Sequence, residues 1–450
     1  MTDKRLADLV LLHGLVVTMD AGWRVLEDGG LAVSGQDIVA VGPSAEIAAR
    51  YDATETIDAS GHIVMPGLIN AHTHAPAVLF RGLVEDLELE PWLARSWQIE
   101  KKMLNPDSIR LGAQMAHTEM IHSGTTTGLD MYWFPEVSAE VAKQIGFRLM
   151  TGPAYLETPD PPDHIPDAQR TDHGREFLQQ YRNDPLIITC VQPHSTYTVS
   201  PRYLAEARDL ADEYHVLLNT HAAESPIEVK TIEQKYGLRP PGHLDAQGLL
   251  TARTVLAHGV FLNHDEIDLL ATRGTAVAHC PISNLKLGAG IAPVNGMLNR
   301  GVKVMVGTDG AQSSNDLNLW PVMRMTALLQ KGIHNDPTLV PARQVVNMAT
   351  RGAAEALGLA DQIGTLEAGK RADLILLDLG QTHSLPLYDV YLHLLYAAGR
   401  EDVSTVIING KKVMHEWQML TIDERETNDR ARALSRQIQA YAQTLSGGGR

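Results

Sequence analysis

The segment PGLINAHTHAPAVLFRG, residues 66 to 82, decides the fold assignment, because it places His72 and His74 one residue apart just after a strand-like apolar run. That run covers residues 63 to 65. In a strand, residues i and i+2 point the same way, so both imidazoles can face one point. The pair alone is a weak signal, since two hydrogen-bonded polar residues in a loop explain it equally well. The surrounding sequence therefore has to supply the context.

Downstream of this segment, apolar strand candidates alternate with amphipathic helical stretches. Seven further strand candidates end in polar or small residues: GTTTGLDMYW, FRLMTGPAYL, LIITCVQPHS, VLLNTHAAES, TVLAHGV, GTAVAHCP and VKVMVGTDG. With the strand before His72 they make eight β/α units. This number predicts an α/β fold, a closed (β/α)8 TIM-type barrel over residues 64–365, with its chemistry at the C-terminal strand ends. A doubly wound open sheet would also alternate strands with helices. The G-x-G-x-x-G motif that would favour such a sheet does not follow the first strand.

The two ends of the chain share a different sequence pattern, which is typical of β-strands. Short strands separated by glycine-containing turns fill residues 1–63, and a similar pattern returns over residues 366–420. ADLVLL at residues 7–12 closely matches ADLILL at residues 372–377. We expect a small β-sandwich domain built from both ends, followed by a C-terminal helix and tail over residues 421–450.

Composition excludes several classes of partner. The chain has 450 residues and a formal net charge of −16, which argues against nucleic acid as a partner. It lacks an uninterrupted apolar tract long enough to span a bilayer. The two cysteines, Cys190 and Cys280, are too few for a disulfide framework and fit a reducing, cytoplasmic location. A metal in this protein must therefore be held by histidines and carboxylates.

Titratable residues recur where the predicted strands end. The members of this set are His194, His221, His258, His279 and Asp309. Histidines distributed at random through a protein core would not fall at strand ends this often. Neutral imidazoles and a carboxylate, without a thiolate cluster, are typical of a divalent metal that keeps one position open for water. Such a metal lowers the pKa of water toward about 7.

The combined motifs resemble the amidohydrolase superfamily, and specifically its mononuclear aminoheterocycle deaminases. The matching motifs are PGLINAHTH, HAAE, AHG, VGTDGA and the late AGKRADLILLD. Further segments are similar to the 5'-methylthioadenosine and S-adenosylhomocysteine deaminases: RGLVEDLELEPWL, QIEKKM, HSTYTVS, ISNLKLGAGIAPV and GTDGAQSSNDLNL. The match covers nearly the whole chain, and it is more specific for the superfamily than for the substrate.

The resemblance implies a role for particular residues. The metal ligands would be His72, His74, His221 and Asp309. His258 would hydrogen-bond the attacking water and Glu224 would shuttle protons, with Asp309 accepting the proton of the water. Binuclear relatives bridge two metals through a carboxylated lysine or a glutamate at the fourth strand, and IITCVQPHS contains neither. We therefore expect one divalent metal per chain, Zn²⁺ or Fe²⁺, both of which accept this donor set.

The same resemblance implies substrate contacts for Glu100, His194, Trp92 and Ser313. Glu100 would accept hydrogen bonds from the ribose hydroxyls of an adenosine derivative, with His194 near the sugar. Each has an alternative in the residues themselves. Glu100 precedes two lysines and could be a solvated helix charge. Trp92 and the neighbouring Trp97 could stack on a purine or pack under a loop, and Ser313 could cap the next helix.

One departure from the family pattern concerns the substrate tail. Some relatives that deaminate S-adenosylhomocysteine carry an arginine after the third strand for its carboxylate, whereas no arginine occurs here from residue 151 to residue 168. The paths of Arg148 and Arg170 are not fixed by the sequence, so the tail has no assured anchor. The Pro- and Asp-rich run 158–172 is long for a connection and could form a lid.

Three functional hypotheses follow. The first is hydrolytic deamination of a 5'-methylthioadenosine or S-adenosylhomocysteine type of nucleoside, releasing ammonia and leaving the inosine analogue. The second keeps the fold and metal but acts on guanine, a pterin or an s-triazine, where chloride could be the leaving group. The third is a non-catalytic assembly protein, which would be expected to lose ligands that are all present here. Proteins of this group often form oligomers, so a homo-oligomer is compatible with the sequence, which does not specify the number of subunits.

Overall fold

A computed structural model describes residues 4–447, with side chains placed through residue 445. The described strands are, in chain order, β1 (Arg5–Val17), β2 (Val25–Ser34), β3 (Asp37–Pro43), β4 (Tyr51–Asp58), β5 (His62–Pro66), β6 (Leu68–Thr73), β7 (Thr125–Asp130), β8 (Arg148–Thr151), β9 (Ala154–Tyr155), β10 (Ile187–Pro193), β11 (Leu217–Ala222), β12 (Thr254–His258), β13 (Ala276–His279), β14 (Val304–Val306), β15 (Leu374–Asp378), β16 (Val403–Ile408), β17 (Lys411–His415) and β18 (Gln418–Met419).

The helices mostly begin where a polar cap or a proline precedes an amphipathic stretch. Their bounds are α1 (Ser44–Arg50), α2 (Leu89–Met103), α3 (Pro106–His122), α4 (Pro135–Ile145), α5 (Asp167–Tyr181), α6 (Pro201–Tyr214), α7 (Pro226–Tyr236), α8 (Pro240–Ala246), α9 (His264–Arg273), α10 (Pro281–Lys286), α11 (Val294–Asn299), α12 (Ala311–Ser314), α13 (Leu319–His334), α14 (Ala342–Met348), α15 (Arg351–Ala356), α16 (Val390–Tyr396) and α17 (Glu424–Gly447). Short 3₁₀ turns cover Ala75–Phe80, Thr382–Ser384 and Arg400–Asp402. Asn105 shows the common start: its side chain accepts from two backbone N–H groups of the first turn of α3.

Eight parallel strands form the predicted barrel. The hydrogen-bonded order is β6-β7-β8-β10-β11-β12-β13-β14, and the short β9 pairs beside β10. The first and last strands meet at a seam where the backbone N–H of Asp309 donates to the carbonyl of His72 at 3.0 Å. A Cβ on Gly307 would lie 2.9 Å from the His72 nitrogen, so only glycine permits this close approach. The fold class is thus confirmed, and the barrel closes beside the first histidine pair.

The second sheet is built from both chain ends, as expected. Its order is β18-β17-β16-β15-β5-β1-β2-β3, and β4 also pairs with β1. The long β1 changes partner along its length, because its first half pairs with β4 and its last residues pair with β5. The similar segments β1 and β15 therefore lie on either side of β5. The sheet is one continuous hydrogen-bonded system in which β1 connects β4 and β5 along the same edge.

The structure corrects one local expectation. The run 63–65 belongs to β5 in the terminal sheet, and the strand that ends at His72 is the following one, β6. A Cβ on Gly67, between the two strands, would lie 2.1 Å from Thr126, so this residue has to be glycine for the chain to cross between the sheets. The predicted division between residues 63 and 64 falls inside β5. The other divisions, at 365/366 and 420/421, stay predictions.

A buried ion pair joins the two sheets. The Nε of Arg148 in β8 donates to Asp373 Oδ2 at 2.7 Å, and its Nη2 donates to Oδ1 at 3.0 Å. Both side chains are almost fully buried. Arg148 therefore points away from the strand ends, and it is not an anchor for a substrate.

The C-terminal helix is confirmed as α17, and the last residues of the predicted tail, 448–450, lie outside the described range. Within that range, none of the helices combines the length and the apolar character that crossing a bilayer requires.

Candidate metal centre and active site

Four side chains from three strand ends converge at the seam of the barrel. The Nε2 of His221, at the end of β11, lies 3.1 Å from His72 Nε2 and 3.3 Å from His74 Nε2. Asp309 Oδ1, which follows β14, lies 3.5 Å from the first of these nitrogens and 3.3 Å from the second. The sequence places these residues up to 237 positions apart, and the barrel brings their donor atoms together.

These separations fit one tetrahedral metal ion. Zinc binds imidazole nitrogen at about 2.0 to 2.1 Å, so donors at the corners of a tetrahedron lie about 3.3 Å apart. Imidazole lone pairs this close repel one another unless a proton or a metal ion lies between them. Burial lowers the pKa of His72 to about 4, which keeps this ring neutral at pH 7 as metal binding requires. The donor set is thus suited to a divalent metal.

Backbone carbonyls orient two of the imidazoles. The Nδ1 of His74 donates to the carbonyl of Met131 at 2.5 Å, and the Nδ1 of His221 donates to the carbonyl of His194 at 2.5 Å. With Nδ1 carrying the proton, Nε2 presents its lone pair to the centre of the cluster. This arrangement is the usual outer support of metal-binding histidines.

Two serines orient the carboxylate of Asp309. Its Oδ1 faces the histidines, whereas Oδ2 lies 2.6 Å from Ser283 Oγ and 2.8 Å from Ser313 Oγ. Ser313 was expected at the substrate, and the structure places its hydroxyl on the carboxylate and on the wall of the cavity. Ser283, in the first turns of α10, was not anticipated.

Glu224 and His258 face each other beside this cluster. The Nε2 of His258 lies 3.6 Å from Glu224 Oε1, and its Nδ1 donates to Asn284 Oδ1 at 2.9 Å. Burial raises the pKa of the Glu224 carboxyl above its usual range. For His258, burial lowers the pKa, but the charges of Glu224 and Asp309 outweigh it and raise the pKa overall. Both shifts favour the protonated forms of the two groups.

His258 also lies close to the histidine cluster. Ligand atoms of His72, His221 and His258 all lie within 4.8 Å of one another. It differs from the other histidines in that its Nδ1 donates to Asn284 and its Nε2 faces Glu224 at 3.6 Å. This geometry suits a hydrogen bond to a small molecule at the centre of the site.

Three residues of the site adopt left-handed backbone conformations that non-glycine residues rarely take. Their φ angles are 55° for Ala223, 76° for His258 and 60° for Asp309. Each lies at or just after the end of a barrel strand. Such conformations cost about 1 to 3 kcal/mol and persist where the surroundings hold them, which is common at functional sites.

A cavity opens from the cluster between α2 and the strand ends. Glu100 of α2 lines it and is buried, with Oε1 accepting from Tyr132 OH at 2.8 Å and from Gln312 Nε2 at 2.9 Å. The alternative of a solvated helix charge is thus wrong. Trp92 also lines the cavity, and its indole N–H donates to the carbonyl of Val84 at 3.0 Å, so it supports a loop as well.

His194 lies on the same cavity wall. Its Nδ1 is 2.9 Å from Thr198 Oγ1, and its ring meets Trp97 edge to face at 5.9 Å between centroids. Trp97 also lines the cavity. The imidazole can therefore face a substrate while the carbonyl of the same residue orients His221.

His279 is the member of the strand-end set that lies outside this arrangement. It is fully buried at the end of β13, and within the described range neither ring nitrogen has a hydrogen-bond partner. Burial lowers its pKa to about 3, so this histidine stays neutral. His279 shares the strand-end position of the clustered histidines, but it was not among the residues expected to bind the metal.

The run 158–172 divides into two parts. Residues from Asp167 onward form the first turns of α5, so only the part before them is an irregular loop. Arg170 donates to Asp163 through Nη1 at 2.9 Å and Nη2 at 3.1 Å, and both side chains are buried. This pairing occupies both terminal nitrogens, and Nε is buried without a hydrogen-bond partner within the described range, so the charge of the guanidinium is already paired.

Several side chains of the site were not predicted from the sequence. Besides Ser283 they are Tyr132, Tyr197, Gln312 and Glu228. Most lie within a few residues after a barrel strand, or in the short helix that follows one. Position after a strand end was therefore the signal that could have found them.

Comparison with known proteins agrees with this geometry. A model of the amidohydrolase family matches residues 63–413, which include all four clustered side chains and both members of the Glu224–His258 pair.

The chain belongs to the amidohydrolase family.

Among relatives of this amidohydrolase, the 5-methylthioadenosine/S-adenosylhomocysteine deaminase of Syntrophobacter fumaroxidans is 41% identical over 432 residues, covering 96% of this chain and 98% of that one. A solved adenosine deaminase from Xanthomonas campestris with bound zinc superposes with a TM-score of 0.95 at 37% identity, covering 97% of this chain and 100% of that one. An atrazine chlorohydrolase from Arthrobacter aurescens TC1 complexed with zinc gives a TM-score of 0.86 at 28% identity, covering 95% and 100%.

Proposed function

We propose that this amidohydrolase is a metal-dependent deaminase that hydrolyses the 6-amino group of an adenosine derivative of the 5'-methylthioadenosine or S-adenosylhomocysteine type. The products are ammonia and the corresponding inosine analogue. The observation that carries the proposal is the juxtaposition of a four-donor cluster with the pair of Glu224 and His258, whose facing atoms lie 3.6 Å apart. Similarity to the named deaminases over nearly the whole chain supports the substrate class.

The proposal assigns one divalent metal to His72, His74, His221 and Asp309. Zn²⁺ is favoured because solved relatives hold zinc, although Fe²⁺ also accepts three imidazoles and a carboxylate. When bound, such a metal supplies Lewis acidity and lowers the pKa of a water molecule toward about 7.

The protein side chains then divide the proton transfers between them. A water molecule attacks the amidine-like ring carbon, and Asp309 accepts its proton. His258 donates a hydrogen bond to the attacking oxygen from Nε2, while Asn284 fixes the ring through Nδ1. Glu224 donates a proton to the ring nitrogen, a role that the rise of its pKa on burial favours. Asp309 then passes the proton that it took from the water to the amine, the hydroxyl proton goes to the Glu224 carboxylate, and the carbon–nitrogen bond breaks to release ammonia and leave a ring carbonyl.

Glu100 is the proposed ribose contact. Both of its donors, Tyr132 and Gln312, bind Oε1, so Oε2 is the oxygen available to a vicinal diol. A carboxylate that accepts from hydroxyl groups makes strong, charge-assisted hydrogen bonds. The aromatic walls formed by Trp92 and Trp97 suit the flat base and its thioether substituent, and His194 lies beside them.

A second candidate keeps the mechanism but changes the heterocycle to guanine, a pterin or an s-triazine. The likeness to the atrazine chlorohydrolase favours it. Glu224 together with His258 favours loss of an amine, because a departing chloride needs no proton. The same proposal places the enzyme in the cytoplasm, supported by two free, buried cysteines.

An ammonia-release screen tests the proposed function. The substrates are 5'-methylthioadenosine, S-adenosylhomocysteine, adenosine, guanine, a pterin and a chlorinated or aminated triazine. We expect turnover of the adenosines well above that of the others. Reaction of only a triazine or a pterin would replace the substrate class while leaving the assignment of the site residues in place.

A further inference from the structure

Glu228 is a buried carboxylate next to the active site that the mechanism above does not use. Its side chain is only 2% exposed, and within the described range no cation pairs with it. A buried carboxylate without a cationic partner costs stability, so its hydrogen bonds have to compensate. Those hydrogen bonds reach the loop that follows β10 and the loop that follows β11.

One oxygen of this carboxylate binds the residue that the proposed mechanism uses as proton donor. Glu228 Oε2 accepts from the backbone N–H of Glu224 at 2.7 Å. The other oxygen, Oε1, accepts from Thr196 Oγ1 at 2.7 Å, in the loop that follows β10. The side chain therefore ties the loop after β11 to the neighbouring loop.

The sequence Ser225-Pro-Ile-Glu228 has the spacing of a helix capping box. In that motif the glutamate reaches back to the backbone N–H of the cap residue. Here Ser225 does cap α7, accepting from the N–H of Glu228 at 3.0 Å. The carboxylate of Glu228 accepts from the backbone N–H of Glu224, the residue before the cap, and not from the N–H of Ser225 itself. The motif thus holds the backbone of the loop that carries Glu224.

We infer that Glu228 is a positioning residue for Glu224. The loop it holds includes the left-handed Ala223, whose φ is 55°, so an unsupported chain would relax to another conformation and move the Glu224 side chain. The role rests on the proposed function, since it assumes that Glu224 transfers a proton. It depends on hydrogen bonding and not on the charge of Glu228.

Substitutions separate this role from simple helix capping. In E228A both bonds are lost, and we expect kcat to fall about 100-fold, as misplacement of a catalytic group by about 1 Å does, with KM within about 3-fold. In E228Q the amide oxygen can accept from Glu224 while the amide nitrogen donates to the Thr196 hydroxyl, so kcat should stay within about 5-fold of the wild type. Metal content should not change in either variant.

Glu266 offers a control for helix capping, and unlike Glu228 it also pairs with Arg239 at 2.8 Å. It is the buried capping-box glutamate of α9, and its Oε2 accepts from the cap residue Asn263 at 2.8 Å. E266A should lower stability without lowering kcat. T196V removes only one of the two bonds of Glu228, and we expect kcat to fall by less than in E228A. This variant keeps the test available if E228A does not fold.

Two kinetic results would overturn the inference: an E228A or T196V enzyme with unchanged kcat, or an E228Q enzyme as slow as E228A. A crystal structure of E228A provides a readout without substrate, since the Glu224 side chain should be displaced, and an unmoved side chain would also overturn it. Failure of the wild type to deaminate any adenosine would instead contradict the proposed function.

Discussion

His258 Nε2 lies 3.6 Å from Glu224 Oε1, directly beside the four-donor cluster. His258 ends β12 and Glu224 lies two residues after β11, and these neighbouring strands pair in parallel with Ala222 opposite His258. The register of two strands therefore sets the distance between the group that would contact the attacking water and the group that would protonate the ring. This relationship supports the first prediction.

Glu224→Gln should lower kcat by about 100- to 10,000-fold, because it removes the general acid while keeping the size of the side chain. Ammonia release under saturating substrate measures the effect. The metal content should stay that of the wild type, since Glu224 is not among the proposed ligands. A variant with normal kcat would remove Glu224 from the mechanism.

The substrate tail gives a second prediction. The loop that follows β9 holds its arginine, Arg170, in a buried bidentate pair with Asp163, and the exposed Lys101 pairs with Asp160 at 3.0 Å. A charged amino acid tail would therefore lack a free counter-charge, whereas the methyl thioether needs none. We expect kcat/KM for 5'-methylthioadenosine to exceed that for S-adenosylhomocysteine by at least about 10-fold, or about 1.4 kcal/mol.

Asp163→Asn provides the matched variant for this preference. It weakens the hold on the Arg170 guanidinium and should reduce the ratio of the two kcat/KM values. A wild-type enzyme that prefers S-adenosylhomocysteine would show that the tail finds a partner elsewhere.

The buried pair of Arg148 and Asp373 gives a prediction about stability. Arg148→Met leaves the carboxylate unpaired between the two sheets and should lower the free energy of unfolding by about 3 to 5 kcal/mol. Denaturant unfolding measures this loss. Replacing both members, as in R148M with D373L, should recover much of it, and a single variant as stable as the wild type would contradict the account of this contact.

Glu228 gives a prediction about pH. Burial raises its pKa from 4.5 to about 7, so the folded protein holds this proton more tightly than the unfolded chain does. Wild-type stability is therefore favoured by this group below pH 4.5 and falls as the pH rises through about 7. Glutamine does not titrate.

The free energy of unfolding of E228Q should thus improve relative to the wild type by about 3 kcal/mol between pH 4.5 and pH 8. Chemical denaturation at both pH values measures the difference. A constant difference would mean that the carboxyl of Glu228 titrates normally in the folded protein.

Much of the fold could be predicted because its signals are local. Apolar runs followed by polar residues located seven of the eight barrel strands, and histidines and an aspartate at strand ends indicated where side chains cluster. Two similar segments indicated that both chain ends contribute to one sheet. The break between β5 and β6 was missed because Pro66 and Gly67 interrupt an otherwise continuous apolar stretch, and only the contact of Gly67 with Thr126 shows why the chain crosses there.

The supporting side chains could not be predicted because their partners are distant in sequence. The bond from Ser283 to Asp309 spans 26 residues, and the bond from Gln312 to Glu100 spans 212 residues. Residue type and spacing do not encode such pairs. His279 shows the converse, because its position at a strand end is the same as that of the clustered histidines but within the described range its ring nitrogens have no hydrogen-bond partner.

Metal analysis with chelation tests the central claim most directly. Purified protein should contain about one equivalent of zinc or iron per chain, ammonia release should stop when a chelator removes the metal, and adding the divalent ion back should restore it. His221→Ala should lose both the metal and the activity. Metal-free protein that deaminates its substrate at the full rate would contradict the account.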